Sequence, residues 1–154
     1  MALFLSSYTN KIDKKGRVSV PARYRSILAD KGFTSVVLFP TINGDAINAC
    51  DMDVMEKLLS DLGGFDPYSQ ERDADADVLM TESVELSIDG DGRITVPLDM
   101  LQEANIDGQC VFAGRGDSFQ IWQPKAFEAS LAAAKERARA KRARRASMAE
   151  QGDD

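Results

Sequence analysis

The sequence contains no histidine, the side chain most often used as a general base and a metal ligand near neutral pH. Catalytic systems built on Ser-His-Asp or Cys-His are therefore excluded. The two cysteines, Cys50 and Cys110, form no C-x-x-C pair, which argues against a zinc ribbon or a disulfide scaffold. We expect no catalytic residue, no metal site, no cofactor and no small-molecule substrate.

Long apolar runs are also missing. No stretch reaches the ~18 apolar residues that a membrane span needs, and Leu3-Phe4-Leu5 is too short for the core of a signal peptide. The 154 residues are 44% hydrophobic, which is enough to form one compact unit or two small ones. These features predict a soluble, cytoplasmic protein with no membrane partner.

The net charge of −6 argues against nucleic-acid binding, but the charge is unevenly distributed. Residues 1–124 carry 11 Lys/Arg against 20 Asp/Glu, whereas residues 125–154 carry 8 against 5. Within residues 11–25 there is one acid, Asp13, and six basic side chains: Lys11, Lys14, Lys15, Arg17, Arg23 and Arg25. Such a basic cluster on an acidic body is typical of a local nucleic-acid contact.

An internal repeat divides the chain into two halves. Residues 12–21 read I-D-K-K-G-R-V-S-V-P and residues 88–97 read I-D-G-D-G-R-I-T-V-P, with six of ten positions identical. In each half, a strand should lead into a tight turn, because Asp can bond its own backbone and Gly tolerates positive φ. The residues of this structural turn motif are Asp13 and Gly16 in one half and Asp89, Gly92 and Arg93 in the other.

Further elements are predicted at matching places in both halves. Pro21 and Pro97 should be the first residues of short helices, because a missing N–H costs nothing there. The predicted helices cover residues 21–29 and 97–104, and the predicted strands cover residues 17–20, 36–39, 46–50, 93–96, 110–113 and 118–122.

The connection and the tail are both predicted to be helical. Asp53-x-x-Glu56 resembles a capping box, Gly63-Gly64 should end that helix, and a second helix should follow over residues 67–80. From Pro124 we expect a solvated helix that frays into a disordered acidic end at residues 150–154. Its clustered cations favour a non-specific nucleic-acid arm and a merely soluble helix equally: Lys135, Arg137, Arg139, Lys141, Arg142, Arg144 and Arg145.

The doubled Asp-x-x-x-Arg motif, each copy followed by three strand residues and Pro, resembles the bacterial MraZ family. Each half is similar to an AbrB/SpoVT-type module. The resemblance implies an α+β fold in which two swapped-hairpin β-α-β-β repeats form one pseudo-dimeric, β-barrel-like unit. We place the first repeat at residues 7–53, a helical connection at 54–82, the second repeat at 83–126 and the basic tail at 127–154.

The resemblance also implies a function. A member of this family would be a nucleoid-associated regulator of the division and cell-wall gene cluster that binds double-stranded promoter DNA as a ring-shaped homo-oligomer. DNA contact carries over to Asp13 and Arg17, whereas Gly90 and the acid Asp91 replace the flanking lysines in the copy that contains Arg93. The alternative is an antitoxin-like module that grips a partner protein with the same fold.

We therefore assign the two copies of the motif different roles. The six cations of residues 11–25 are the predicted DNA-binding residues, with Lys14 and Lys15 at the turn tip contacting phosphate. Arg17 can bridge to Asp13 and still present its fork to phosphate or to guanine. For Arg93, a structural bridge to Asp89 is favoured.

Overall fold

The computed structural model describes residues 2–64 and 74–152, and its contacts separate a unit ending at Gln123 from a second unit beginning at Pro124. The first unit has an α+β fold. Its strands are β1 (Ser7–Lys11), β2 (Arg17–Ser19), β3 (Ser35–Pro40), β4 (Ala46–Cys50), β5 (Val84–Ser87), β6 (Arg93–Thr95), β7 (Gln109–Gly114) and β8 (Phe119–Trp122). Its helices are α1 (Ala22–Asp30), α2 (Met52–Asp61), α3 (Ala74–Glu82) and α4 (Leu98–Glu103).

The strands pair antiparallel across the two repeats. The six-stranded sheet has the order β1-β7-β8-β4-β3-β5, and a separate two-stranded sheet joins β2 to β6. The first strand of each repeat thus pairs inside the other repeat, since β1 lies beside β7 and β5 lies beside β3. The predicted α+β class is confirmed at this level.

The described strands do not form the closed barrel that a barrel-like unit would require. Strands β1 and β5 end the six-stranded order, and among the described residues no pairing joins them. The β2–β6 pair forms its own small sheet instead of continuing the larger one. Closing a sheet requires a pairing between its two outer strands, and here both outer strands keep one unpaired side.

The two prolines precede their helices instead of being the first helical residues, as predicted from the sequence. Pro21 and Pro97 are N-cap residues with ψ of 136° and 135°, and the helices begin at Ala22 and Leu98. An extended ψ at the proline turns the chain from the preceding strand into the helix. The predicted bounds of every strand agree with the structure to within one residue, and those of residues 46–50 coincide with it.

Residues from both repeats form the main core. An aromatic cluster lies inside it, in which the rings of Phe4, Tyr24 and Phe119 contact one another at centroid distances of 4.9 to 5.1 Å. The Tyr24 hydroxyl donates to the carbonyl oxygens of Leu5 and Ser6 at 3.1 and 2.8 Å. This bonding ties the amino-terminal segment to α1, and burial raises the pKa of Tyr24 to about 12.

The connection begins with a helix cap that differs from the predicted one. The N-cap of α2 is the buried Asp51, whose carboxylate accepts from Val54 N at 3.0 Å and also from Lys31 Nζ. The predicted capping box at Asp53 is therefore wrong. Gly63 follows the end of α2 as predicted, with φ of 71°. Of the second predicted helix, residues 67–73 lie outside the described residues, and α3 covers Ala74–Glu82.

The second unit is a single helix, α5 (Pro124–Gly152). It continues through Glu150, where an irregular end was expected; Asp153 and Asp154 lie outside the described residues. Nowhere in residues 2–64 and 74–152 is a helix both long enough and apolar enough to cross a membrane.

Candidate nucleic-acid interface

Residues 13–17, which we call the first turn, are held by the Asp13 carboxylate. Its Oδ1 accepts from Lys15 N at 3.0 Å and from Arg17 N at 2.9 Å. Gly16 N donates to Asp13 O at 3.0 Å, and Gly16 takes φ of +88°. A β-carbon on Gly16 would lie 2.2 Å from Val96 O, so this position requires glycine for both its φ and its close packing. The motif therefore forms a rigid turn.

The same carboxylate orients the Arg17 side chain. Arg17 Nε donates to Asp13 Oδ2 at 2.7 Å, and both side chains remain partly exposed to solvent. Bonds from the Arg17 backbone N–H and from its guanidinium hold the pKa of Asp13 below its usual value of 3.8. The two Nη groups of Arg17 make no hydrogen bond to any described residue, so they can donate to an external acceptor.

Four other predicted cations are exposed around this turn. Lys11 ends β1, Lys14 and Lys15 form the tip, and Arg23 lies in α1. Within the part of the chain that the structure describes, none of the four forms an ion pair. Their charge is therefore available to solvent or to an anionic partner.

Arg25 is placed differently from the other five cations. Its Nε donates to Val20 O at 2.9 Å, and its guanidinium packs over Gly92. A β-carbon on Gly92 would fall 2.3 Å from Arg25 Nη1. The structure thus brings this half-buried cation of the first repeat to the turn of the second repeat.

Residues 89–93, which we call the second turn, repeat the backbone bonds but change the side chains. Asp89 Oδ1 accepts from Arg93 N at 2.9 Å, whereas Arg93 Nε stays 3.7 Å from Asp89 Oδ2. Arg93 Nη2 donates instead to Asp91 at 3.2 Å. Because its arginine is paired with two acids, Asp89 and Asp91, the second turn offers a poorer surface to a polyanion than the first turn does.

The β2–β6 sheet combines the two turns on one surface. Arg17 is opposite Thr95 and Ser19 is opposite Arg93, so all four side chains share the face turned away from the buried Val18 and Ile94.

Asn10 adds to this surface, because its side-chain amide donates to Ser19 O at 2.7 Å. Ser19, Thr95 and Asn10 are not among the residues predicted from the sequence. The alternation of polar and apolar residues in each strand indicates which side chains face solvent. It does not indicate that the two strands pair with each other.

Both cysteines are buried in the first unit. Burial raises the pKa values of Cys50 and Cys110 to about 12. At neutral pH the two sulfurs are therefore protonated thiols, which are weak nucleophiles.

Comparison with known proteins identifies the family. The "Transcriptional regulator MraZ" of Rickettsia bellii (strain OSU 85-389) is 45% identical over 143 residues, which cover 92% of this chain and 95% of the relative. The chain belongs to the MraZ family. The proteins of the same name from Rickettsia akari (strain Hartford) and Rickettsia rickettsii (strain Sheila Smith) are 46% and 45% identical, covering 87% and 92% of this chain and 90% and 95% of the relatives.

A family model described as "MraZ protein, putative antitoxin-like" matches residues 79–148. The MraZ match therefore includes the second repeat and most of α5. The resemblance predicted from the doubled Asp-x-x-x-Arg motif is confirmed at the level of the MraZ family.

Proposed function

We propose that this MraZ family member is a transcriptional regulator without enzymatic activity, which binds promoter DNA of the division and cell-wall gene cluster through its first turn. The proposal rests on one observation above all. The Asp13 carboxylate holds Arg17 by a 2.7 Å bond at an exposed turn whose neighbouring lysines have no partner among the described residues. The names of its relatives support the regulatory role.

The chemistry of the first turn suits double-stranded DNA. A bonded Nε leaves the Nη groups of Arg17 to contact phosphate or the O6 and N7 atoms of guanine. Lys14 and Lys15 at the turn tip supply sequence-independent phosphate contacts, which position the arginine over the base edges. In this division of roles, Arg17 reads sequence and the lysines provide affinity.

We infer further that the two repeats act as a pseudo-dimer of swapped hairpins. The reciprocal pairings β1–β7 and β5–β3, together with β2–β6 and β4–β8, support this inference. A pseudo-dimer built in this way has two corresponding turns, of which only the first carries lysines at its tip. Arg93 and Asp89 then serve the stability of the unit.

One first turn per chain is a small interface. Specific protein–DNA sites usually bury ~1,000–2,500 Å² of protein surface, more than a five-residue turn and its neighbours provide. We therefore propose that a ring-shaped homo-oligomer presents several first turns to repeated promoter boxes. Binding of each further box is then effectively intramolecular.

Binding to the promoter DNA upstream of the cluster tests this function. We expect the full chain to bind that duplex more tightly than a shuffled duplex of identical length and composition, measured by fluorescence anisotropy. Arg17→Ala should remove the preference. Equal affinity of the wild-type chain for both duplexes would contradict the proposal and would favour the antitoxin-like, protein-binding alternative.

A further inference from the structure

Helix α5 carries a dense cluster of positive charge that has no part in the function proposed for the first turn. Residues 135–145 of α5 contain seven cations and one acid, Glu136, along about 16 Å of helix axis. Every residue in this segment is exposed. We call the seven side chains the tail cations: Lys135, Arg137, Arg139, Lys141, Arg142, Arg144 and Arg145.

The tail cations are almost unneutralised. Arg139 pairs with Glu136 at 3.3 Å, and in residues 2–64 and 74–152 the other six make no ion pair. Several of them also stand three or four positions apart, as Arg137 does from Lys141 and Lys141 from Arg145. Like charges at this spacing destabilise a helix, so an anionic partner would relieve a repulsion built into α5.

The distribution of the tail cations indicates what kind of partner fits. At 3.6 residues per turn they spread over roughly 220° of the helix circumference, and the remaining face carries Glu136, Ala140 and Ala143. No apolar stripe is available for a hydrophobic groove or for the interface of a membrane. The partner must therefore be recognised by charge alone.

We propose that residues 135–145 of α5 form a second, sequence-independent binding site for double-stranded DNA. The major groove of B-form DNA admits an α-helix, and phosphates border both sides of it. A helix with cations over more than half of its circumference meets both phosphate strands when it lies in such a groove. The major groove of A-form RNA is too narrow for a helix, which favours DNA.

This site acts independently of the first turn. It adds affinity for any duplex and leaves the choice of sequence to Arg17. In a regulator that binds through a few base-reading side chains, such a site raises the time spent near DNA without changing which box is preferred.

The test compares full-length variants on a short shuffled duplex between 50 and 200 mM salt. The neutralised variant replaces six tail cations by Gln and keeps the Arg139–Glu136 pair. The matched control places six Gln at exposed alanines of the same helix and leaves every charge: Ala134, Ala138, Ala140, Ala143, Ala146 and Ala149. Gln, Lys and Arg have similar helix propensities, and circular dichroism checks that α5 persists.

We expect the neutralised variant to lose at least tenfold in affinity and to show a shallower dependence of log affinity on log salt, by ~0.9 for each lost phosphate contact. The matched control should behave as wild type. A third variant, with Arg137, Arg142, Arg144 and Arg145 replaced by Lys, should also keep the wild-type slope. If the neutralised variant kept that slope, the site would not exist.

Two further measurements test whether the partner is DNA and whether the α5 site is distinct from the first turn. Duplex RNA and vesicles of phosphatidylcholine with phosphatidylserine should show a smaller loss than DNA, and an equal or larger loss with either would overturn the assignment to DNA. The same comparison is repeated in an Arg17→Ala background. Loss of promoter preference there tests the proposed function, whereas the change in slope on the shuffled duplex tests α5 alone.

Discussion

Arg17 Nε donates to Asp13 Oδ2 over 2.7 Å, and this bond fixes the direction of the guanidinium at the first turn. The equivalent Arg93 Nε lies 3.7 Å from Asp89 Oδ2 and makes no hydrogen bond to any described residue. The two arginines therefore differ in how they are held, although the sequence motif around them is the same. This difference is the basis for assigning them different roles.

The first prediction compares the two arginines by alanine substitution. Arg17→Ala should abolish the preference for promoter DNA, because each bidentate contact to guanine contributes ~1–3 kcal/mol of discrimination. Its effect on the free energy of unfolding should stay within ~1 kcal/mol, since the pair with Asp13 is exposed. Arg93→Ala should keep the preference and lower the melting temperature by a small amount, because Arg93 is half-buried with an enclosed Nε and pairs with both Asp89 and Asp91.

Anisotropy with promoter and shuffled duplexes, together with thermal unfolding, measures both effects. An equal loss of promoter affinity in the two variants at unchanged melting temperature would show that the argument from charge is wrong.

The second prediction concerns Gly16. Gly16→Ala should destabilise the chain by well over ~1–3 kcal/mol, the usual cost of a left-handed backbone at a non-glycine residue. The excess arises because the new β-carbon would meet Val96 O at 2.2 Å. Gly32→Ala is a matched control, since Gly32 has a similar φ of +85° but nothing within 4 Å of its β-carbon position.

Urea unfolding of both variants isolates the close contact between the turn and the second repeat. If Gly32→Ala cost as much stability as Gly16→Ala, backbone strain alone would explain the requirement for glycine at position 16. The close approach to Val96 would then contribute nothing.

The third prediction follows from the carboxylates of the two turns. Backbone N–H groups and arginines lower the pKa values of Asp13 and Asp89 below 3.8 in the folded chain. A lowered pKa contributes stability that is fully present above the unfolded value and is lost as the pH falls through the folded value. Wild-type stability should therefore decline on acidification below pH 3.8, in part through these two groups.

Asp13→Asn and Asp89→Asn remove these titrations. Each variant should be less stable than wild type at neutral pH and should lose less stability between about pH 5 and pH 2. The double variant should show the flattest profile of the three, as measured by urea unfolding at each pH. Profiles parallel to that of the wild type would rule out these carboxylates as contributors to acid sensitivity.

Local sequence is enough to predict the turns, because each depends on residues within five positions of one another. Asp13 and Gly16 specify the bonds and the positive φ from their own chemistry. Arg25 could not be placed in this way. It lies over Gly92 only because β2 pairs with β6, and no pattern within one repeat encodes a pairing between repeats.

The predicted cap of α2 is wrong for a similar reason. Asp51 and Asp53 are both acceptable N-cap residues by local chemistry. The chain uses Asp51 because Lys31, twenty positions away, neutralises the carboxylate where the fold buries it. A distant ion pair therefore decides between two local signals.

The last prediction concerns the proposed ring. A single first turn offers few base contacts, so one isolated promoter box should bind weakly. Once one subunit of a ring is bound, the next box is reached intramolecularly, and avidity can rise by ~10²–10⁴ without a new type of contact. The gain requires boxes at a near-constant spacing that matches both the distance between neighbouring subunits and the helical repeat of DNA.

Duplexes with one, two and three boxes test this mechanism at a fixed salt concentration. Affinity should rise steeply with box number, and half a helical turn inserted between boxes should cancel the rise because the second box then faces away from the protein. A variant with a neutral first turn, Lys14→Gln with Lys15→Gln and Arg17→Ala, should show no dependence on box number. Binding of one box as tight as that of three, or indifference to spacing, would refute a ring that engages several boxes at once.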